Sequence, residues 1–521
     1  MLASHQAALF DPEYALSLPG DRALQPTVYV PAAIKVNGLP GKSAQQRFKA
    51  LKKAAEKQGY YADFESEDRE LAAYVADGRF ADLVDRYWVS RVVLRPMSDG
   101  PTKRPDAWKV LQQVRADKPE ESKAIGLVHV MTACAPDLEG VPAYDGHGWE
   151  GVPAYDGHGV EGLPAYDGHG FGGLPAYDGH AEPFGRPGYG TRTPVYWGGR
   201  DPWRSKPVGD RRPVVCVMDT GIGQHPWFTH GVRELRNYAG VTVGMPETPT
   251  TDPELHGLTP DLTGLLGRDA GHGTFIAGLI RQYCPSAQIL AVPVMASDGS
   301  ADDTTFQRAL VLVLLRHLES LEAGHDDGII DVLSLSLGYY HEKPEDLAAD
   351  SIVYPLLSKF GESGVAVVCA AGNDATLTPM FPAAFASNAG SRHSADRVPL
   401  MTVGALNPDG KTIAIYSNAG PWVSTHRRAT AVVSTIPVTF DASIQSGIRV
   451  DSPVGVRASV DPDNFSSGFA LWSGTSFAAP VLAGQLAQHL AKDPRIGAIQ
   501  TDIAVARAWS AVTAELKWER P

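Results

Sequence analysis

The pattern of apolar and polar positions predicts a large domain in the second half of the chain. From residue 211 onward, short continuous apolar runs alternate with longer amphipathic stretches. Continuous apolar strands between helices are typical of a mostly parallel sheet with helices on both faces. We therefore predict a doubly wound α/β domain over residues 211–521.

The elements of this domain follow from the period of the apolar positions. The predicted strands are residues 214–218, 289–293, 332–337, 365–369 and 401–404. The predicted helices are residues 274–282, 306–321, 352–363 and 477–491.

A smaller region over residues 27–135 mixes both kinds of pattern. Strand patterns and helical patterns alternate there: strands at 27–30, 88–94 and 124–131, and helices at 43–58, 69–87 and 105–116. Ser43 stands where its hydroxyl could cap the first helix. We predict a small α/β or α+β domain, preceded by an irregular arm over residues 1–26.

Residues 136–210 are rich in Pro and Gly and are predicted to form an extended linker. A heptad, Val or Leu followed by PAYDGH, occurs four times with a period of 11 over residues 141–180. Proline and glycine in every copy exclude regular helix and disfavour strand. Three interpretations stay open: a flexible spacer, an array of substrate-like peptides that are excised or bound in trans, or a metal-binding tract. The last would use His147, His158, His169 and His180.

Composition and charge exclude several classes of function. The net charge of −13 argues against nucleic acid or an anionic membrane as the main partner. No stretch approaches the ~20 apolar residues that a membrane span needs.

The N-terminus lacks a basic segment followed by an apolar core, so we expect no secretory signal and a cytoplasmic location, with secretion as the alternative. The four cysteines lack metal-ligand spacing, and we expect no metal site.

Four polar residues stand at the ends of apolar runs or the starts of helical ones. Asp219 lies in DTG, His272 in HGT, Asn373 in AAGN and Ser476 in GTS. A serine flanked by small residues is accessible to a carbonyl group, and a helix N-terminus places positive potential beside it. Because ligands bind at the carboxyl ends of parallel strands, we expect these four residues to lie close together.

The four motifs, in this order, resemble those of the subtilisin-like serine proteases (subtilases) over residues 213–513; the order Asp, His, Ser is that given for subtilisin itself. The resemblance implies a serine endopeptidase. Ser476 would attack the scissile carbonyl and form an acyl-enzyme, His272 would act as general base and acid, and Asp219 would orient His272. The Asn373 side chain and the Ser476 backbone N–H would form the oxyanion hole.

The resemblance also implies how a peptide substrate is held. Three residues would form an edge that pairs with an extended substrate: Ser336, Leu337 and Gly338. Three more would form a wall of the pocket for the side chain before the scissile bond: Ala370, Ala371 and Gly372. No cofactor is expected; many relatives bind calcium, but no calcium loop is identified here. Long segments at 219–272 and 424–469 depart from the family pattern, so the sequence does not define the side-chain preference.

Two questions stay open at the level of sequence. The domain at 27–135 is either a propeptide that assists folding and inhibits the site or a plain accessory domain. The whole protein is expected to be a processing protease that acts on a partner or on its own linker, with Arg211, Arg212 and the repeats as sites to test. The alternative is a catalytically silent scaffold that binds peptides.

Overall fold

The computed structural model of the chain describes most of both predicted domains. The described residues are 5–17, 24–74, 78, 80–97, 104–133, 192–246, 248, 251–259, 263–344, 352–386 and 394–521. The repeats at 141–180 and Cys134 lie outside them, and so the predictions for the repeats stay predictions.

The N-terminal region contains an antiparallel sheet with helices. Its strands are β1 (Ala8–Phe10), β2 (Thr27–Asn37), β3 (Tyr60–Phe64), β4 (Val89–Pro96) and β5 (Ile125–Ala133). Its helices are α1 (Ala44–Lys57), α2 (Ser66–Tyr74), α3 (Ala81–Tyr87), α4 (Ala107–Asp117) and α5 (Pro119–Ser122). The strand order is β5-β2-β4-β3, with β1 also paired to β2. Apolar residues of α1 and α4, among them Leu51 and Leu111, pack in one core with those of the sheet.

Three details differ from the sequence-based expectation. Residues 8–10, inside the predicted irregular arm, form β1. The single helix predicted at 69–87 is two helices, with Gly78 between them, because glycine is unfavourable inside a helix. Ser43 does not cap α1; its hydroxyl donates instead to Asp85 Oδ1 at 3.0 Å.

The C-terminal region contains a larger set of elements. Its strands are β6 (Thr193–Pro194), β7 (Val214–Asp219), β8 (Val232–Glu234), β9 (Asn237–Tyr238), β10 (Val241–Thr242), β11 (Gln288–Pro293), β12 (Ser300–Asp302), β13 (Val332–Leu335), β14 (Leu337–Tyr340), β15 (Ala366–Ala370), β16 (Met380–Phe381), β17 (Met401–Leu406), β18 (Thr425–Arg428), β19 (Val432–Thr435), β20 (Arg449–Ser452), β21 (Gly455–Ala458) and β22 (Phe469–Trp472). Its helices are α6 (His272–Tyr283), α7 (Asp303–Ala323), α8 (Val353–Glu362), α9 (Thr475–Lys492) and α10 (Thr501–Leu516).

A parallel sheet of seven strands forms the centre of this region. Its order is β18-β17-β15-β13-β7-β11-β8, and every adjacent pair is parallel. Strands β7, β13 and β15 are buried along their whole length. Helices α6 and α9 pack in the core on one face, and α7 and α8 pack in the core on the other. No helix of the described residues is long and apolar enough to cross a membrane.

The end of the predicted linker packs against the C-terminal region. Strand β6 pairs with β22, and the backbone N–H of Val195 donates to Phe469 O at 3.1 Å. Arg192 donates from its guanidinium to the carbonyls of Gly267 and Ala270. Residues 192–210 are therefore part of the packed structure.

Arg211, singled out in the sequence as a candidate cleavage position, is instead a buried structural residue. It is 8% exposed, and its guanidinium forms two hydrogen bonds of 2.7 Å with the carboxylate of Asp331. Asp331 also accepts from the backbone N–H of Val214, at the start of the central strand. Breaking a buried, doubly hydrogen-bonded pair leaves an uncompensated charge.

We therefore expect Arg211→Ala to lower the free energy of unfolding by about 3 kcal/mol, because Asp331 would lose its two short hydrogen bonds and keep only Arg507, at 3.4 Å, as a cationic partner. Urea denaturation of the Ser476→Ala protein, which excludes self-cleavage, measures the change. Arg449→Ala, at an exposed position of β20, is the matched control and should change stability by less than about 0.5 kcal/mol. Equal effects of the two substitutions would contradict a structural role for Arg211.

Candidate active site

The structure brings Asp219 and His272 together at the carboxyl edge of the parallel sheet. Asp219 ends β7, and His272 is the first residue of α6. Asp219 Oδ1 lies 2.8 Å from His272 Nδ1, and both side chains are buried. The backbone N–H of Thr220 donates to the same Asp219 oxygen at 2.8 Å. A carboxylate bonded to Nδ1 fixes the imidazole tautomer that leaves Nε2 as the basic atom.

A glycine allows α6 to approach β7 this closely. A Cβ atom on Gly273 would lie 2.1 Å from the carbonyl oxygen of Gly221. The Gly273 backbone N–H donates to Thr220 Oγ1 at 2.7 Å. The HGT motif thus supplies both the imidazole and the small residue that its position requires.

Ser476 lies in the first turn of α9, where the residue before the helix, Gly474, has a φ of 152°. Pro480 is inside this helix and lacks the N–H that would normally bond to the carbonyl four residues earlier. That carbonyl belongs to Ser476, and it accepts a hydrogen bond of 2.8 Å from Ser336 Oγ instead. The nucleophile candidate is therefore tied to the predicted substrate-binding edge.

The hydrogen bond between nucleophile and base is not formed in this structure. Ser476 Oγ donates to the carbonyl of Ser336 at 3.3 Å, and His272 Nε2 is buried without a partner among the described residues. The rings of Trp472 and Phe477 pack against the imidazole, with centroids 5.5 and 5.3 Å away. Catalytic hydrogen bonds are often loose before a substrate is bound.

Asn373 lies beside the turn that carries Ser476. Its Oδ1 accepts from the backbone N–H of Thr475 at 2.9 Å, and Thr475 Oγ1 accepts from the N–H of Gly372 at 3.1 Å. With Oδ1 engaged in this way, the amide nitrogen is the end of the side chain that can donate to an oxyanion. The residues predicted to form the pocket wall, Ala370, Ala371 and Gly372, are buried where β15 ends.

Burial and the neighbouring carboxylates act in opposite directions on the protonation of His272. Burial lowers the pKa of His272, but the charge and hydrogen bond of Asp219, with a further contribution from Asp269, raise this pKa above its ordinary value. The imidazole therefore takes up a proton readily, as a general base must.

The predicted substrate-binding edge is occupied by the chain itself. Strand β5 runs antiparallel between β14 and β12, with Ala133 opposite Leu337 and Thr132 opposite both Gly338 and Ser300. The backbone N–H of Ala133 also donates to the carbonyl of Gly299 at 2.7 Å. An added strand on an exposed sheet edge is a recurring mode of peptide binding. The sequence predicted a pairing edge at residues 336–338, beside which β5 lies, and made no prediction for β12, which carries no motif.

A buried cluster of charges holds β5 to the C-terminal region. His129, in β5, lies between Asp303 at 3.2 Å and Glu342 at 2.7 Å and is fully buried. Lys35 pairs with Asp303, and Arg115 lies 3.7 Å from Glu342. Each of these contacts joins the N-terminal region to the C-terminal region.

Two groups of side chains among the described residues have ligand atoms within 4.8 Å of one another: His129, His341 and Glu342, and Asp441, Asp461 and Asp463. In the first group, His129 and Glu342 already bond to each other. The second offers the oxygen ligands that Ca²⁺ prefers, but exposed carboxylates commonly cluster without an ion.

These features are the parts that a serine-hydrolase site uses: an Asp–His pair at a sheet edge and a serine at a neighbouring helix N-terminus. A model of the subtilase family matches residues 210–515, more than half of the chain. The chain belongs to the subtilase family.

Individual relatives are distant. The chain is 24% identical over 295 residues to the serine protease AprX of Bacillus subtilis, covering 54% of this chain and 57% of that protein. It is 28% identical over 250 residues to the subtilase-type proteinase RRT12 of Saccharomyces cerevisiae, covering 46% of this chain and 42% of that protein. The chain thus spans about half the length of the curated relatives it matches. Among solved structures, a lanthipeptide protease aligns at 20% identity with a TM-score of 0.37, covering 57% of this chain and 78% of the other.

We expect Asp219→Asn to lower the pKa of His272, because the amide removes the charge that raises this pKa. NMR of imidazole resonances in the Ser476→Ala protein, with and without Asp219→Asn, measures the change. His225 is the internal control: burial lowers its pKa to about 4, and that pKa should not respond. An unchanged His272 titration would contradict the pairing.

Proposed function

We propose that this chain is a serine endopeptidase that cleaves peptide bonds through Ser476, His272 and Asp219. The observation that carries the proposal is the buried Asp219–His272 pair, beside the helix N-terminus that holds Ser476. His272 would take the proton of Ser476 Oγ as the acyl-enzyme forms and deliver it to the leaving amine. Asn373 and the Ser476 backbone N–H would stabilise the oxyanion.

The covered cleft supports an inhibitory role for the N-terminal domain, as in a propeptide. Its last strand binds where an extended substrate would bind, and its main chain bonds to both walls of the cleft. The ion cluster around His129 adds contacts that a short peptide substrate would lack. Another substrate could therefore enter only after β5 leaves.

The same geometry supports the protein's own linker as its first substrate. Ala133, the last residue of β5, lies opposite Leu337, next in the chain to the residue that bonds Ser476. The chain returns to the described structure at Arg192, whose guanidinium lies 5.3 Å from the ring of Trp472. Trp472 contacts His272. Both ends of the segment that contains the repeats therefore lie near the catalytic residues, which favours cleavage within the same molecule.

One observation favours the alternative, a silent scaffold that binds peptides. Ser476 Oγ bonds to the carbonyl of Ser336, and the described structure gives His272 Nε2 no partner. An activated serine would label with a fluorophosphonate probe, whereas a scaffold would not.

We expect the wild-type chain to cut itself between residues 133 and 192 at neutral pH, because both ends of that segment lie near Ser476. Intact mass spectrometry of freshly purified wild type and Ser476→Ala, sampled over time, measures the cleavage and identifies the bond. Fluorophosphonate labelling of Ser476 in the same samples reports an activated serine. Full-length wild type that labels would exclude the linker as substrate; full-length wild type that does not label would support the scaffold.

We also expect the docking of β5 to weaken as pH rises. Burial lowers the pKa of His129, but Glu342 and Asp303 raise it by more, so its net shift is upward. The stabilising effect is complete below the unfolded-state pKa and is lost as pH rises through the higher folded-state pKa. The other groups that face His129 are Lys35, Tyr339, His341 and Arg115.

Hydrogen exchange of the β5 amides in the Ser476→Ala protein, corrected for intrinsic rates, measures this docking. Each unit by which the pKa is raised corresponds to about a tenfold loss of protection between the acidic and alkaline limits. His129→Gln should abolish the pH dependence, while His489→Gln, at a partly exposed position in α9, should retain it. Identical profiles for His129→Gln and the parent protein would refute this role.

A further inference from the structure

Glu254 is a buried carboxyl group beside the catalytic pair that no sequence motif identified. It lies in the long segment between Asp219 and His272 and is 2% exposed. Its Oε1 is bonded to Thr220 Oγ1, and its Oε2 is bonded to Thr274 Oγ1. Thr220 and Thr274 belong to the DTG and HGT motifs, so Glu254 bridges the two motifs that carry Asp219 and His272.

The hydrogen bonds around Thr220 limit where protons can be. Thr220 Oγ1 accepts from the Gly273 backbone N–H at 2.7 Å and also lies 3.2 Å from Asp219 Oδ1. A hydroxyl has one proton to donate. If Glu254 is ionised, Asp219 and Glu254 compete for that proton. If Glu254 is protonated on Oε1, it donates to Thr220 Oγ1, and Thr220 donates to Asp219 Oδ1, so that neither carboxyl group competes for the Thr220 proton.

The contacts of Thr274 fit the same arrangement. Its Oγ1 accepts from the backbone N–H of Gly223 at 2.7 Å, which leaves its own proton for Glu254 Oε2. Oε2 therefore accepts from Thr274 Oγ1. Oε1 receives only a long contact of 3.4 Å from the Thr274 backbone N–H, which leaves Oε1 as the oxygen that would carry the proton. Each oxygen of Glu254 then has a defined role.

The charges around Glu254 favour its neutral form. Burial raises the pKa of Glu254 well above its usual range; the hydrogen bonds of Thr220 and Thr274 lower it, and the charges of Asp219 and Asp252 raise it. Among the described residues, no Lys, Arg or His nitrogen lies within ion-pair distance of its carboxyl group. Arg192 acts on it only at longer range. Glu234, which also faces Gly221, is paired with Arg236 at 2.9 Å, and Arg236 lies 3.8 Å from Asp252.

We propose that Glu254 is a positioning residue that, as a neutral acid, orients Asp219 through the hydroxyl of Thr220. The proposal rests on the proposed function, since Asp219 is the residue that orients His272. Glu254 contacts no substrate and acts through Thr220 alone. When Glu254 loses its proton, Thr220 turns its hydroxyl proton from Asp219 to Glu254, and a second negative charge appears beside the catalytic carboxylate.

The test compares Glu254→Gln with Glu254→Ala in the full-length chain. The glutamine amide can donate to Thr220 and accept from Thr274 as the neutral acid does, but it cannot ionise. Alanine leaves both hydroxyls without their partner. We expect Glu254→Gln to cleave its linker within about threefold of the wild-type rate at pH 7 and Glu254→Ala to be slower by about tenfold or more, as expected for an unsatisfied buried group.

A second readout does not require activity. In the Ser476→Ala protein, the proton on His272 Nδ1 reports its bond to Asp219 by NMR. As the pH rises, its chemical shift should change in a step when Glu254 ionises, and Glu254→Gln should remove that step. Glu234→Gln is the matched control, because it removes a nearby carboxylate that does not contact Thr220, and it should leave the step in place.

Each outcome decides the proposal. If the step in the chemical shift of the His272 Nδ1 proton persists in Glu254→Gln, the positioning role of Glu254 is overturned. The same holds if Glu254→Gln cleaves the linker as slowly as Glu254→Ala. If wild type neither cleaves nor labels, the endopeptidase proposal fails, while the NMR titration still shows whether Glu254 acts on the Asp219–His272 pair.

Discussion

The close approach of α6 to the end of β7 is the constraint on which the candidate site depends. A side chain on Gly273 would overlap the carbonyl of Gly221, so only glycine allows His272 to lie 2.8 Å from Asp219. The central strand is fixed in turn by Asp331, which joins Arg211 to the start of β7. The Asp219–His272 pair therefore lies at the end of a strand that is buried along its whole length.

A second constraint joins the nucleophile to the cleft. Pro480 frees the carbonyl of Ser476, and Ser336 takes it as a hydrogen-bond acceptor. Ser336 begins the edge that binds β5, and it also bonds to the turn that carries Ser476. The occupied cleft and the serine turn are therefore connected through this one residue. Main-chain pairing on such an edge depends little on side-chain identity, so the chain's own strand and a foreign peptide compete for the same hydrogen bonds.

Glu254 shows how an inserted segment can become part of a catalytic centre. A second ionised carboxylate beside Asp219 would cost desolvation and repulsion, whereas a neutral acid adds a hydrogen-bond donor without charge. Each of its two threonine partners also accepts a backbone N–H, so the bridge to Asp219 needs no water molecule. The segment therefore adds a polar contact beneath the Asp219–His272 pair, whereas the position of Ser476 is set by α9.

The sequence by itself determined the central strands and the motif residues, because each depends on a few residues that are adjacent in the chain. Continuous apolar runs predicted β7, β11, β13, β15 and β17 to within a few residues, and DTG and HGT identified a pair that the structure brings into contact. Exposed or very short strands such as β20 and β21 carry no apolar run and were missed. Only the tertiary structure decided that Ala133 lies opposite Leu337, that Arg211 is buried and that Glu254 lies beneath Asp219. Each of these depends on residues far apart in the chain, whose contact is set by how whole elements pack and by no local pattern.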